Sequence, residues 1–164
     1  MGHNISAIIL KGEYDKPKSK EFDLIGIKLD DNLTMFHINH YYSACWQAKL
    51  GTKGVLDNNG IDYILYPCEI AISELMMIIS RKENPVFSII TTDYFSGIGN
   101  QYANVYIKET LADSKIKTIN QALSFLGVKK KSGMDEFDSV GLSNHRSEPE
   151  YLEKYYDLAD ELGV

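Results

Sequence analysis

At 164 residues, 44% of them hydrophobic and 24% charged, the chain is long enough to bury roughly 70% of its unfolded surface. That excludes disorder as the default and any need for disulfides or a structural metal, and a single domain spanning 1–164 is expected. The net charge of −6 is unevenly spread: residues 132–164 carry nine acids against two bases, and residues 1–131 carry 14 against 15, which argues against a nucleic-acid partner and for a basic protein.

Cys45 and Cys68 are the only cysteines and lie outside any CxxC spacing, so they make no disulfide framework, and a reducing cytoplasm is the expected location. No run approaches the roughly 18 apolar residues of a membrane span, and no basic segment precedes an apolar one as in a signal peptide. Met1–Ser6 fits the N-myristoylation pattern, but nothing else in the chain is membrane-like, and the same residues lead into a strand; no membrane partner is expected.

Ile5–Leu10 reads as the first strand, and Tyr14–Glu21, polar with Pro17 in it, as a surface loop. Phe22–Leu29 and Leu33–Ile38 flank the turn signal Asp30-Asp31-Asn32 and read as a hairpin. Asn39 or His40 caps a helix over Tyr41–Leu50, with Gly51 as its stop. After a loop over Thr52–Gly60, Ile61–Tyr66 reads as a short strand closed by Pro67, and Glu69–Ser80, apolar on most of its circumference, as a buried helix.

Pro85–Lys108 is the strongest element. Val86–Phe95 is β-branched and aromatic, Gln101–Ile107 alternates, and Ser96–Asn100 between them carries Gly97 and Gly99, so a hairpin at the sheet centre is expected. A polar loop, Glu109–Lys117, leads to Thr118-Ile-Asn-Gln121, which has the form of a capping box ahead of a helix stopped by Gly127. Lys129–Gly133 is a basic connector, and Met134–Asn144 is irregular, anchored by Phe137, Val140 and Leu142. Ser147–Glu150 has the form of a second capping box, with a helix running to Leu162. The expected class is α+β: a largely antiparallel sheet built from hairpins, with helices covering one face.

Few residues combine into chemistry. His37 and His40 lack a third metal ligand, and His37 sits in an apolar strand as a structural histidine; no metal and no cofactor are expected. Cys45 with those histidines has the types of a nucleophile pair, but its helical neighbours Tyr42 and Trp46 indicate core packing. Gly97-Ile-Gly99 lacks the third glycine and the following helix of a dinucleotide site. Asp93 interrupts an apolar strand; it is either a carboxylate working with His37 or His145, as in a small hydrolase or nucleotide-handling enzyme, or the acceptor that staples its own turn with Gly97 and Gly99, which is the preferred reading. Asp135, Glu136 and Asp138 do not have EF-hand spacing.

Thr92–Gln101, TDYFSGIGNQ, resembles a TDYFGG-x-G-x-Q segment of small uncharacterised bacterial proteins, with Ser96 in place of a glycine. Ile119–Gly127, Asp135–Leu142 and His145-Arg146 are similar to the C-terminal part of the same proteins; the likeness spans 93–152 and leaves the N-terminal half uncovered. Such small acidic chains are similar to immunity proteins of polymorphic-toxin and contact-dependent growth inhibition systems. The resemblance implies no enzymatic activity and a cognate toxin as partner. The acidic tail suits a basic toxin such as a nuclease, with Asp135, Glu136, Asp138, Glu150, Glu153 and Asp157 as the contacting residues. The 11 tyrosines also leave a homodimer open.

Overall fold

In the computed structural model, which describes Gly2–Val164, a central strand of the sheet is apolar on both sides. This strand, β1 (His3–Lys11), turns Ile8 and Leu10 to one face and Ile5, Ala7 and Ile9 to the other, none more than 2% exposed. It pairs antiparallel with β3 (Leu33–Ile38) on one side and with β4 (Val86–Phe95) on the other, placing Ile8 between Phe36 and Ile89. β2 (Gly26–Asp30) hairpins onto β3, and β5 (Ile98–Ile107) with the short β6 (Thr110–Leu111) extends the other edge, giving the order β2-β3-β1-β4-β5-β6. The expected α+β class with an antiparallel, hairpin-built sheet is the one observed; of the long hairpin, β4 lies at the centre and β5 one strand out.

Helices cover both faces, not one as expected. On the Ile8 side, α1 (Lys16–Glu21), α2 (His40–Leu50), α3 (Ala71–Ser80) and α6 (Lys154–Leu162) form one layer, whose core includes Tyr42, Leu75, Met76 and Tyr155. On the Ile9 side, α4 (Ile119–Phe125), α5 (Glu136–Ser139) and a 3₁₀ turn (Leu142–Asn144) bury Ile119, Leu123 and Leu142 against Ala7, Ile90 and Val105. A sheet apolar on both faces has to be covered twice.

Local chemistry explains which expected elements form. Asn39 accepts the Tyr42 amide at 2.7 Å to cap α2, and Gly51, at φ 68°, ends it. At α4 both bonds of the Thr118–Gln121 capping box are present. The segment read as a loop holds α1 instead: the Asp15 side chain accepts from the Lys18 amide and Pro17 sits in the first turn, but only Ser19 is buried, so no apolar stripe marks it. Phe22 ends that helix and β2 begins only at Gly26. The stretch 61–66 is not a strand; it is irregular, with Tyr66 buried and its hydroxyl donating to the Ile89 carbonyl at 2.9 Å. The second capping box does not form: Ser147 bridges Asn4, a 3₁₀ turn occupies Glu150–Leu152, and α6 starts at Lys154. Among the described residues no helix is long and apolar enough to cross a membrane.

The turn between β4 and β5 is shorter than the expected Ser96–Asn100. It has two residues, Ser96 at φ 52° and Gly97 at φ 77°, with Phe95 paired to Ile98, the geometry of a type I′ hairpin. Gly99 already lies in β5 opposite Tyr94, where a Cβ would overlap the Asp93 carbonyl oxygen. The two glycines therefore serve different needs, one conformational and one steric. Gly97→Ala, whose Cβ meets open space, should cost about 1 kcal/mol. Gly99→Ala should cost clearly more, because backbone must move. Asp93→Ala should stay within about 0.5 kcal/mol, since that side chain is exposed. Urea unfolding of the three variants measures this order, and equal losses at 97 and 99 would refute it.

Candidate functional site

The sheet separates the residues that an enzymatic reading would combine. His3 and His37 point to the Ile9 side. The Nε2 of His3 donates to the Leu142 carbonyl, which can only accept, at 2.9 Å, and its Nδ1 is hydrogen-bonded to the Thr92 hydroxyl at 2.7 Å. His37, opposite Ala7, is 5% exposed with its Nδ1 unpartnered, and its ring stands edge-on to His145 at 6.2 Å. Burial first, then His145 and His3, holds its pKa down to about 4. Asp93 stands opposite Asn4 and Asn100 on the other side of the sheet and is exposed. Asp93 and His37 or His145 are therefore not brought together. Nor does Asp93 staple its turn: among the described residues no backbone N–H bonds its carboxylate, which is exposed on the strand two pairs before the loop.

Other sequence candidates resolve as packing. The Cys45 thiol lies in the core, donates to the Tyr155 carbonyl at 3.8 Å, and has its pKa raised by burial, away from a reactive thiolate. Among the described residues no group of three or more His, Cys, Asp or Glu side chains is placed to hold a metal ion.

The six acidic residues fall into two groups on opposite layers. Asp135 caps α5, its carboxylate taken up by the Asp138 amide at 2.8 Å and the Asn120 side chain at 3.0 Å. Glu136 is half-buried and Asp138 exposed, both on the Ile9 side. Glu150, Glu153 and Asp157 are exposed on the other layer, and their spacing of three and then four residues lines them up along the 3₁₀ turn and α6. Asp160 and Glu161 continue the stripe. Lys154 does not neutralise it: its Nζ reaches Asp23 Oδ2 at 2.8 Å.

Between the two groups the chain crosses the end of the sheet. The Asn4 amide donates to the Arg146 carbonyl at 2.8 Å, and Ser147 bridges Asn4 in parallel. The crossing closes a cavity of about 400 Å³ on the Ile8 side, floored by Asn4 and Ser6 and walled by His40, Tyr63, Glu148 and Tyr156. One Glu148 oxygen accepts from Asn39 Nδ2 at 3.1 Å, and the other accepts the Tyr156 hydroxyl at 2.8 Å. That bond, more than burial, pushes the Tyr156 pKa up to about 12. Burial lowers the His40 pKa, only partly offset by Glu69 and Glu148, so His40 is neutral at pH 7. Tyr63 stacks on Tyr102 at 5.5 Å. A second cavity, about 300 Å³, lies on the Ile9 side, where Tyr94, Gln101, Asp135 and Arg146 bring together the separate segments of the TDYF-type resemblance.

In the sequence Glu148 is one acid of the tail and Asn39 a candidate helix cap; their contact joins positions 109 apart, which no local pattern marks. No protein-family model, curated protein or solved structure matches the chain.

The histidine cluster makes stability depend on pH. The folded pKa of His37, about 4, lies below the 6.5 of the unfolded chain, so the unfolded chain binds the extra proton between those values. The stabilisation is complete above pH 6.5 and is lost as the pH falls toward 4, at up to about 1.4 kcal/mol per unit. Urea midpoints measured at intervals from pH 7 to 5 should therefore fall more steeply for the native chain than for His37→Phe; parallel slopes would sink the assignment.

Proposed function

We propose that this protein binds and neutralises a basic protein in the cytoplasm, in the manner of an immunity protein facing a cognate toxin, and that Glu150, Glu153 and Asp157 are the contact stripe. The observation that carries this reading is the removal of Lys154 to Asp23, which leaves a row of exposed carboxylates with no cation of its own. Asp135 is a weaker candidate than the sequence suggests, because its carboxylate is already used to cap α5. A basic nuclease suits the stripe, since its phosphate-binding surface attracts regularly spaced anions. Exposed carboxylates of this kind act mainly on the association rate and are screened by salt over about 8–10 Å. The hydrolase alternative loses support from the separation of Asp93 and His37 by the sheet.

Co-expression with the product of the adjacent gene, followed by affinity purification at low and moderate salt, tests the proposal. A complex should form, with Glu150→Lys/Glu153→Lys/Asp157→Lys weakening it by at least about tenfold, chiefly through slower association. Glu136→Lys/Asp138→Lys on the opposite layer should change it by less than about threefold. Absence of a complex at low salt, or equal losses from the two sets, would overturn it.

A further inference from the structure

The cavity at the head of the acidic stripe has the features of a cation site. Some structural carboxylates of this chain meet a cation of its own, as Arg81 meets Asp15 at 2.6 Å and Lys154 meets Asp23 at 2.8 Å, while Asp135 and Glu69 are held by neutral donors alone. Glu148 belongs with the second group and, unlike them, lines this cavity. It is half-buried, each of its oxygens is fixed by one neutral donor, Asn39 or Tyr156, and among the described residues no Lys or Arg pairs with it. A carboxylate has about four acceptor positions, so one remains on each oxygen. Each oxygen therefore keeps an acceptor position for an N–H of a guanidinium. Taking a carboxylate partly out of water without a counter-charge is costly, and a cation from outside offsets that cost.

The surroundings narrow the choice of cation. Tyr63 and Tyr156 wall the cavity, and aromatic faces favour the planar, weakly hydrated guanidinium over ammonium. His40 shares the cavity but, neutral at pH 7, does not occupy the carboxylate's charge.

We propose that this cavity is the anchor for one arginine side chain of the basic partner, with Glu148 as its counter-ion and Tyr63 and Tyr156 as its walls. The inference rests on the reading of the acidic stripe as a partner-binding surface. The stripe attracts and orients the partner, and the cavity holds it, as a few buried contacts do in most interfaces.

The test uses the whole protein and a probe that needs no knowledge of the partner. N-acetyl-arginine methylamide is titrated while the amide NMR spectrum is recorded, beside N-acetyl-citrulline methylamide, which has the same shape without the charge. The arginine probe should shift the amides of Asn39, His40, Ser147 and Glu148 with the roughly millimolar affinity of so small a ligand, and the citrulline probe should not. Glu148→Gln should weaken it at least about tenfold and Tyr156→Phe less, while Glu150→Lys/Glu153→Lys should leave the pattern of shifts in place. Dispersed spectra verify folding of each variant, and Tyr156→Phe serves alone if Glu148→Gln is unfolded. Shifts confined to α6, equal binding of citrulline, or unchanged binding by the Glu148 and Tyr156 variants would overturn the anchor. If the probe binds as expected but no partner responds to the stripe variants, the cation site stands and the neutralisation reading falls.

Discussion

The structure depends on β1 and β4 being apolar on both faces. Ile5, Ile8, Ile9 and Leu10 are each at most 2% exposed, as are Phe87, Ile89 and Ile90 beside them. Burying a side chain of this size contributes about 1.5–3 kcal/mol, so covering one face alone would forfeit roughly half of what the central strands contribute. The helices are distributed accordingly. α3 can lie deep because it is apolar around most of its circumference, with Ile72, Leu75, Met76 and Ile79 buried. The shorter α4 and α5 cover the other side with the help of Leu142, Ile116 and Val128 from the loops around them.

Two-sided cover forces the C-terminal segment to serve both layers. It contributes α5 and the Leu142 turn to one face, then passes the end of the sheet and contributes Leu152 and α6 to the other. The passage is pinned at each step: His3 holds the Leu142 carbonyl, Asn4 holds the Arg146 carbonyl, and Leu142 and Leu152 are fully buried on either side. The same passage divides the acidic residues and creates the Glu148 cavity, because Ser147 and Glu148 are the residues left facing the sheet end as the chain changes layers. The location of the charge is thus a consequence of how the core is covered.

Much of this was legible in the residues. The capping box at Thr118, the cap and stop of α2, and the hairpins all follow from short-range chemistry that tertiary contacts leave intact. The unbroken run Ala7–Leu10 already signals a strand buried on both faces, but it takes the second helical layer to give it that meaning. Other signals were present and overruled. Asp15 and Pro17 mark a helix start without an apolar stripe to support it. Ser147-Glu-Pro-Glu150 has the letters of a capping box, but the chain is still extended at Pro149, with ψ 148°, so no helical turn begins there for Ser147 to cap. Ile61–Tyr66 has the apolar residues of a strand, but a strand exists only beside a partner, and this stretch pairs with none of the six strands. The Asn39–Glu148–Tyr156 cluster was illegible, since it is assembled from three distant segments by the crossing itself.

The charge of the stripe is itself set from across the layer. Asp23, at φ 56° in the turn after α1, accepts both the Tyr155 hydroxyl and Lys154. Tyr155 is 1% exposed, and its oxygen also accepts Trp46 Nε1 at 3.1 Å, so α6, α2 and the α1 turn meet at one carboxylate. Burial and the bond to Asp23 raise the Tyr155 pKa, so its proton remains with the phenol as donor. Lys154 stands four residues from Glu150 and three from Asp157, both helical pairing distances, and without Asp23 it would have either as a partner. The contact that fixes α6 onto the core therefore also keeps its outer face anionic, which ties the packing of Tyr155 to the electrostatics of the surface behind it.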